Sequence, residues 1–62
     1  MNKTTIIQVA DYLAERGYGV VANRLHEREF SNKSQLYLYI AREIDADEAL
    51  CEEIIRFIES LP

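Results

Sequence analysis

Gln35-Leu36-Tyr37-Leu38-Tyr39-Ile40-Ala41-Arg42-Glu43-Ile44 is the stretch whose reading decides the fold. Its core, Leu36 to Ala41, is six apolar or aromatic residues in a row. A run of that kind has no helical polarity. Short, continuous and rich in β-prone side chains, it also reads as a strand. Two features favour a helix. Ala41-Arg42-Glu43 extends the run in good helix formers, and Leu36, Ile40 and Ile44 keep a four-residue step. The resulting expectation is an all-α, compact bundle of three to four short helices forming a single domain over 1–62. The alternative is an α+β chain in which Gly19–Ala22 and Leu36–Ile40 pair as a small two-stranded hairpin between two helices.

Outward from that stretch, the flanks are helical. From about Thr4 to Arg16, Ile6, Val9, Ala10 and Leu13 recur at three- and four-residue steps, one face of a helix. Gly17 then suits the left-handed position just past a helix end. A shorter segment, about Val20 to Arg28, offers Val20, Val21 and Leu25 as an apolar edge. Ser31-Asn32-Lys33-Ser34 reads as a loop and helix start, with Ser31 or Asn32 as the cap. The last segment carries the widest apolar stripe: Leu50, Ile54, Phe57, Ile58 and Leu61, broadened by Cys51 and Ile55. Asp45 stands three residues before Glu48, a capping-box spacing with Asp in the cap position. Glu52 precedes Arg56 by four, the favourable order for a helical ion pair.

Charge is split along the chain. Glu43 to Pro62 holds seven of the eleven carboxylates and one base, Arg56, for a sum of −6. The first forty-two residues carry six Lys/Arg against four acids and sum to +2, so the whole is −4. The acidic half coincides with the strongest helix, whose outer face would present Glu52, Glu53 and Glu59.

Length sets further bounds. A chain of 62 residues buries only about 60% of its unfolded surface, so stability needs help. One cysteine forbids an internal disulfide, and one histidine with one cysteine cannot build a closed zinc site. Self-association or a partner remains, and an oligomer is therefore expected in isolation. No apolar run approaches the ~18 residues of a membrane span, and no signal-peptide core is visible. A lone thiol without an export signal implies the cytoplasm. The Met1 start is read as that of a complete short frame.

No catalytic constellation is present. Cys51 lies beside the apolar stripe, where burial keeps a thiol inert. His26 falls in the polar run Leu25-His26-Glu27-Arg28-Glu29 and reads as a solvated helix-face side chain. There is no phosphate loop, metal spacing or calcium loop. No enzyme, cofactor or metal is expected.

Two binding readings follow. In the first, Leu36, Ile40 and Ile44 take the core side of their helix, so Tyr37, Leu38 and Tyr39 cannot all join them. Exposed apolar surface rich in Tyr marks a contact site. Together with the acidic face Glu52, Glu53 and Glu59, it would meet another protein carrying a basic surface, such as one that normally holds nucleic acid. Short acidic chains of this kind occur in phages and mobile elements as inhibitors or modulators of host machinery. In the second, Arg24, Arg28, Ser31, Asn32, Lys33 and Gln35 gather around a helix start preceded by a short helix, a helix-turn-helix arrangement that would contact DNA.

Two strings resemble the TetR-type DNA-binding domain: Ala14-Glu15-Arg16-Gly17-Tyr18 and Lys33-Ser34-Gln35-Leu36-Tyr37-Leu38-Tyr39-Ile40. Their order is that family's and their separation is close to it. The resemblance implies a recognition helix opening at Ser31 to Gln35. It spans under half the chain. His26 stands near the tight helix crossing that wants a small residue, and Glu29-Phe30-Ser31 stands where the turn wants Gly.

Overall fold

A computed structural model describes residues 1–62 as four helices and no strand: α1 (Lys3–Glu15), α2 (Gly19–Leu25), α3 (Lys33–Glu43) and α4 (Glu48–Ser60). The run Leu36 to Ala41 is helical throughout, which removes the hairpin alternative. The four-residue step decides it: Leu36 and Ile40 are fully buried, Ile44 is half-buried at the helix end, and the rest of the run wraps around the helix.

The helix ends are set by local hydrogen bonding. The Asn2, Asn32 and Asp47 side chains each accept from a backbone N–H in the first turn of α1, α3 and α4. Of the two candidate caps for α3, Asn32 takes the role, and the Gln35 side chain reaches back to accept from the Ser31 N–H at 3.0 Å. α1 ends in a Schellman turn. Gly17 is at φ 90°, its N–H donates to the Ala14 carbonyl, and the Tyr18 N–H donates to that of Leu13.

Asp45 corrects the sequence reading. It does not cap α4. It is the left-handed residue that closes α3, at φ 50°, with the Ala46 N–H donating to the Ala41 carbonyl at 3.0 Å. The cap of α4 is Asp47, two residues on. An Asp tolerates the left-handed conformation better than most side chains, so one short connection ends α3 and starts α4.

α1 packs on α2 and α3 on α4, and all four share one core. Its fully buried centre is Val9 and Leu13 of α1, Leu25 of α2, Leu36 and Ile40 of α3, and Ile58 of α4, with Ile54 at 2% exposure. Two expectations change here. Val20 does not join Val21 and Leu25; it is 68% exposed, and Ala22 takes the inward position. α2 ends at Leu25, so Glu27 and Arg28 belong to the seven-residue connection His26 to Asn32. That connection is held by Phe30, whose ring is buried against the core. The chain ends are tied in as well: the Met1 amine donates to the Phe30 carbonyl at 3.3 Å, and the Thr5 hydroxyl donates to that of Pro62 at 3.4 Å.

No helix is long and apolar enough to cross a membrane.

Candidate functional site

α4 divides its carboxylates between two directions. Glu48, Glu52, Arg56 and Glu59 recur at steps of four, four and three, which stacks them on the exposed face opposite the Ile54/Ile58 stripe. No ion pair engages any of them, including the Glu52–Arg56 pair expected from the spacing; the ion pairs of the molecule are Arg16–Glu53 and Arg24–Glu43. Glu53 lies about 100° around the helix from Glu52 and points at α1. Its Oε1 accepts from the Tyr12 hydroxyl and from Arg16 Nη2, both at 3.2 Å. The Arg16 guanidinium also lies over the Tyr12 ring at 3.8 Å, and that ring stacks on Phe57. Partial burial raises the Tyr12 hydroxyl pKa above its ordinary value; Arg16 opposes this, and the charge and hydrogen bond of Glu53 add to it. Glu53 is therefore a link between α1 and α4, while Glu52 and Glu59 stand free.

Successive residues of α3 diverge by about 100°, and this separates Tyr37, Leu38 and Tyr39. Tyr37 is half-buried against the core, its hydroxyl 3.3 Å from that of Ser34. Tyr39 is half-buried on the other flank. It tilts against Phe30, carries the Arg28 guanidinium over its ring at 4.5 Å and donates to Glu43 at 3.3 Å. Leu38 alone projects outward, at 56% exposure. It lies in a shallow groove with Arg28, Phe30, Gln35, Tyr39 and Arg42. At about 270 Å³ this open groove falls below the ~300–1,000 Å³ typical of small-molecule sites.

The residues of the DNA-contact reading are mostly occupied within the fold. Arg24 Nη1 donates to Glu43 at 2.6 Å, and that hydrogen bond raises the arginine pKa further. Lys33 Nζ donates to the Leu61 carbonyl, and the Asn32 and Gln35 side chains serve the cap of α3. Arg28 and Ser31 keep their side chains free of ion pairs and hydrogen bonds. The connection before α3 is seven residues long, against about 3–4 in a helix-turn-helix.

Cys51 is half-buried, with its thiol 3.6 Å from the Ala46 carbonyl at the start of α4. His26 is exposed on the connection after α2. Neither lies on the outer face of α4.

Two contributors were not singled out in the sequence. Arg42 follows Leu38 by four residues, a spacing that already puts them on one face. Phe30 carried no signal, because a lone aromatic in a polar loop has no period to read.

No family model, no curated protein and no solved structure matches the chain at a significant level, so the likeness of Ala14–Tyr18 and Lys33–Ile40 to the TetR-type domain stays a local one.

Proposed function

We propose that the protein is a non-catalytic modulator or inhibitor that binds another protein. It meets a basic surface with the outer face of α4, through Glu52 and Glu59 beside Glu48, and adds apolar contact at Leu38. The observation carrying this reading is the division of carboxylates. Glu43 and Glu53 are paired with arginines of other elements, whereas Glu48, Glu52 and Glu59 make no ion pair on one exposed face whose single cation is Arg56. Complementary charge of this kind acts mainly on the rate of encounter and on partner choice.

DNA binding through Arg24, Arg28, Ser31, Asn32, Lys33 and Gln35 ranks second. Four of these six side chains already serve Glu43, Leu61 or the α3 cap, and a charge of −4 opposes the phosphate term.

The test is affinity capture from native lysate, with and without nuclease, comparing wild type with Glu52→Lys/Glu59→Lys. A nuclease-resistant protein retained by wild type and lost by the variant supports the proposal. Recovery of DNA that nuclease abolishes, and that the variant increases, favours the second reading. Sedimentation equilibrium of the same samples separates self-association from binding to a partner.

A further inference from the structure

We propose that the groove between the His26–Asn32 connection and α3 docks an acidic, apolar peptide segment of a partner protein. Its apolar lining is the buried Phe30, the half-buried Tyr39 and the exposed Leu38. The rim holds Arg28 and Arg42, and neither guanidinium has a carboxylate partner. Only Arg16 and Arg24 form ion pairs in the molecule, and Arg28 and Arg42 are the two unpaired arginines brought together around one groove. Two unpaired guanidinium groups beside one exposed leucine suit a segment that offers carboxylates and a large apolar side chain. Arginine takes a carboxylate through two parallel N–H donors, and Leu38 supplies the apolar contact.

The groove is partly preorganised. Arg28 rests on the Tyr39 ring, Tyr39 is tilted against the buried Phe30, and its hydroxyl is held by Glu43. Less ordering is then left for binding to impose. A nucleic-acid occupant fits less well. Glu29 also lines the groove, so two arginines against one glutamate leave only a small positive excess, too little for a run of phosphates but enough for one or two carboxylates, and the exposed Leu38 gives bases no stacking platform.

This inference rests on the protein-binding reading of Leu38. It asks for a charge opposite to the one sought by the outer face of α4, so the two surfaces can be tested apart. The experiment is amide chemical-shift mapping on the full chain with three probes: a peptide alternating glutamate and leucine, its lysine–leucine counterpart, and an oligothymidylate. Every protein variant keeps α4 unchanged. The glutamate–leucine peptide is expected to shift the amides around Phe30, Leu38 and Arg42. Leu38→Ser and Arg42→Glu are each expected to weaken it about tenfold, ~1.4 kcal/mol. Both positions are exposed, and Arg42 makes no ion pair, so folding should survive. Arg28→Glu, which also removes the stack on Tyr39, serves as a third variant. The proposal is overturned if the glutamate–leucine peptide causes no groove shifts, if either control shifts the groove equally, or if both Leu38→Ser and Arg42→Glu bind as wild type. Shifts confined to α4 with the lysine–leucine peptide report on the acidic face and leave the groove result separate.

Discussion

The Tyr12 and Phe57 rings stack nearly parallel, 4.0 Å between centroids and 15° between planes, and so join the first helix to the last. Arg16 covers the other side of Tyr12, and Glu53 ties both to α4. This bridge spans the seam that neither the α1–α2 nor the α3–α4 packing covers. The stack is worth about 0.5–1.5 kcal/mol beyond the area it buries. The Arg16–Glu53 pair adds less, because both side chains are substantially exposed at 40% and 54%.

Ile54→Ala is expected to destabilise the fold by about 2–5 kcal/mol, since its side chain is almost fully buried. The sequence stripe alone puts Phe57→Ala on the same footing. Phe57 is only half-buried, so its loss should be smaller, about 1–3 kcal/mol. Denaturant melts of the two variants test the order. A larger loss at Phe57 would mean that the Tyr12 stack outweighs the core contact of Ile54.

Asp45→Gly should stabilise the protein by about 0.5–1 kcal/mol, because glycine relieves the left-handed backbone at φ 50°. The same substitution would leave the Asp47 cap intact. Asp47→Ala, by contrast, should cost about 1 kcal/mol by releasing the Leu50 N–H. Thermal melts that ranked Asp45 as the more important cap would contradict this assignment.

Alkaline stability should depend on Tyr12. Its folded-state pKa is raised, chiefly by burial, so its contribution is fully present below the ordinary tyrosine value of 10.0 and is lost as pH rises through the folded-state pKa. Melting temperature should fall over that range. Tyr12→Phe should flatten this part of the fall, and ultraviolet titration should lose one tyrosine step that lies above the ordinary value. An unchanged alkaline slope in the variant would assign the effect to another group.

Glu52→Lys with Glu59→Lys should fold like wild type, with stability changed by less than about 0.5 kcal/mol, because neither carboxylate makes an ion pair. Adding Glu53→Lys should cost about 1 kcal/mol more, since it removes the bond to Tyr12 and sets two cations together at Arg16. Circular dichroism melts of the double and triple variants check the difference. Equal stability would show that Glu53 belongs with the free acidic face after all.

What the sequence determined by itself was local. The four-residue step of Leu36, Ile40 and Ile44 favoured a helix for α3 but left the strand pairing with Gly19–Ala22 open, which the packing of Leu36 and Ile40 into the core then removed. The Ile54/Ile58 stripe was enough to orient α4, and Gly17 and the pair Ser31/Asn32 marked helix ends, because periodicity and capping act within a turn or two of chain. Tertiary structure decided which residues remain available. Within Tyr37-Leu38-Tyr39 it left only Leu38 outside, because Tyr37 packs on the core and Tyr39 on Phe30. Among the acids it consumed Glu53 and Glu43 and spared Glu52 and Glu59, because Arg16 and Arg24 come from elements that are distant in sequence. It moved Asp45 from a helix start to a helix end, since a residue between two helices serves whichever terminus the packing places on it. A side chain's address on its helix follows from helical periodicity, whereas its partners are set by where the other helices lie, and no local pattern encodes that.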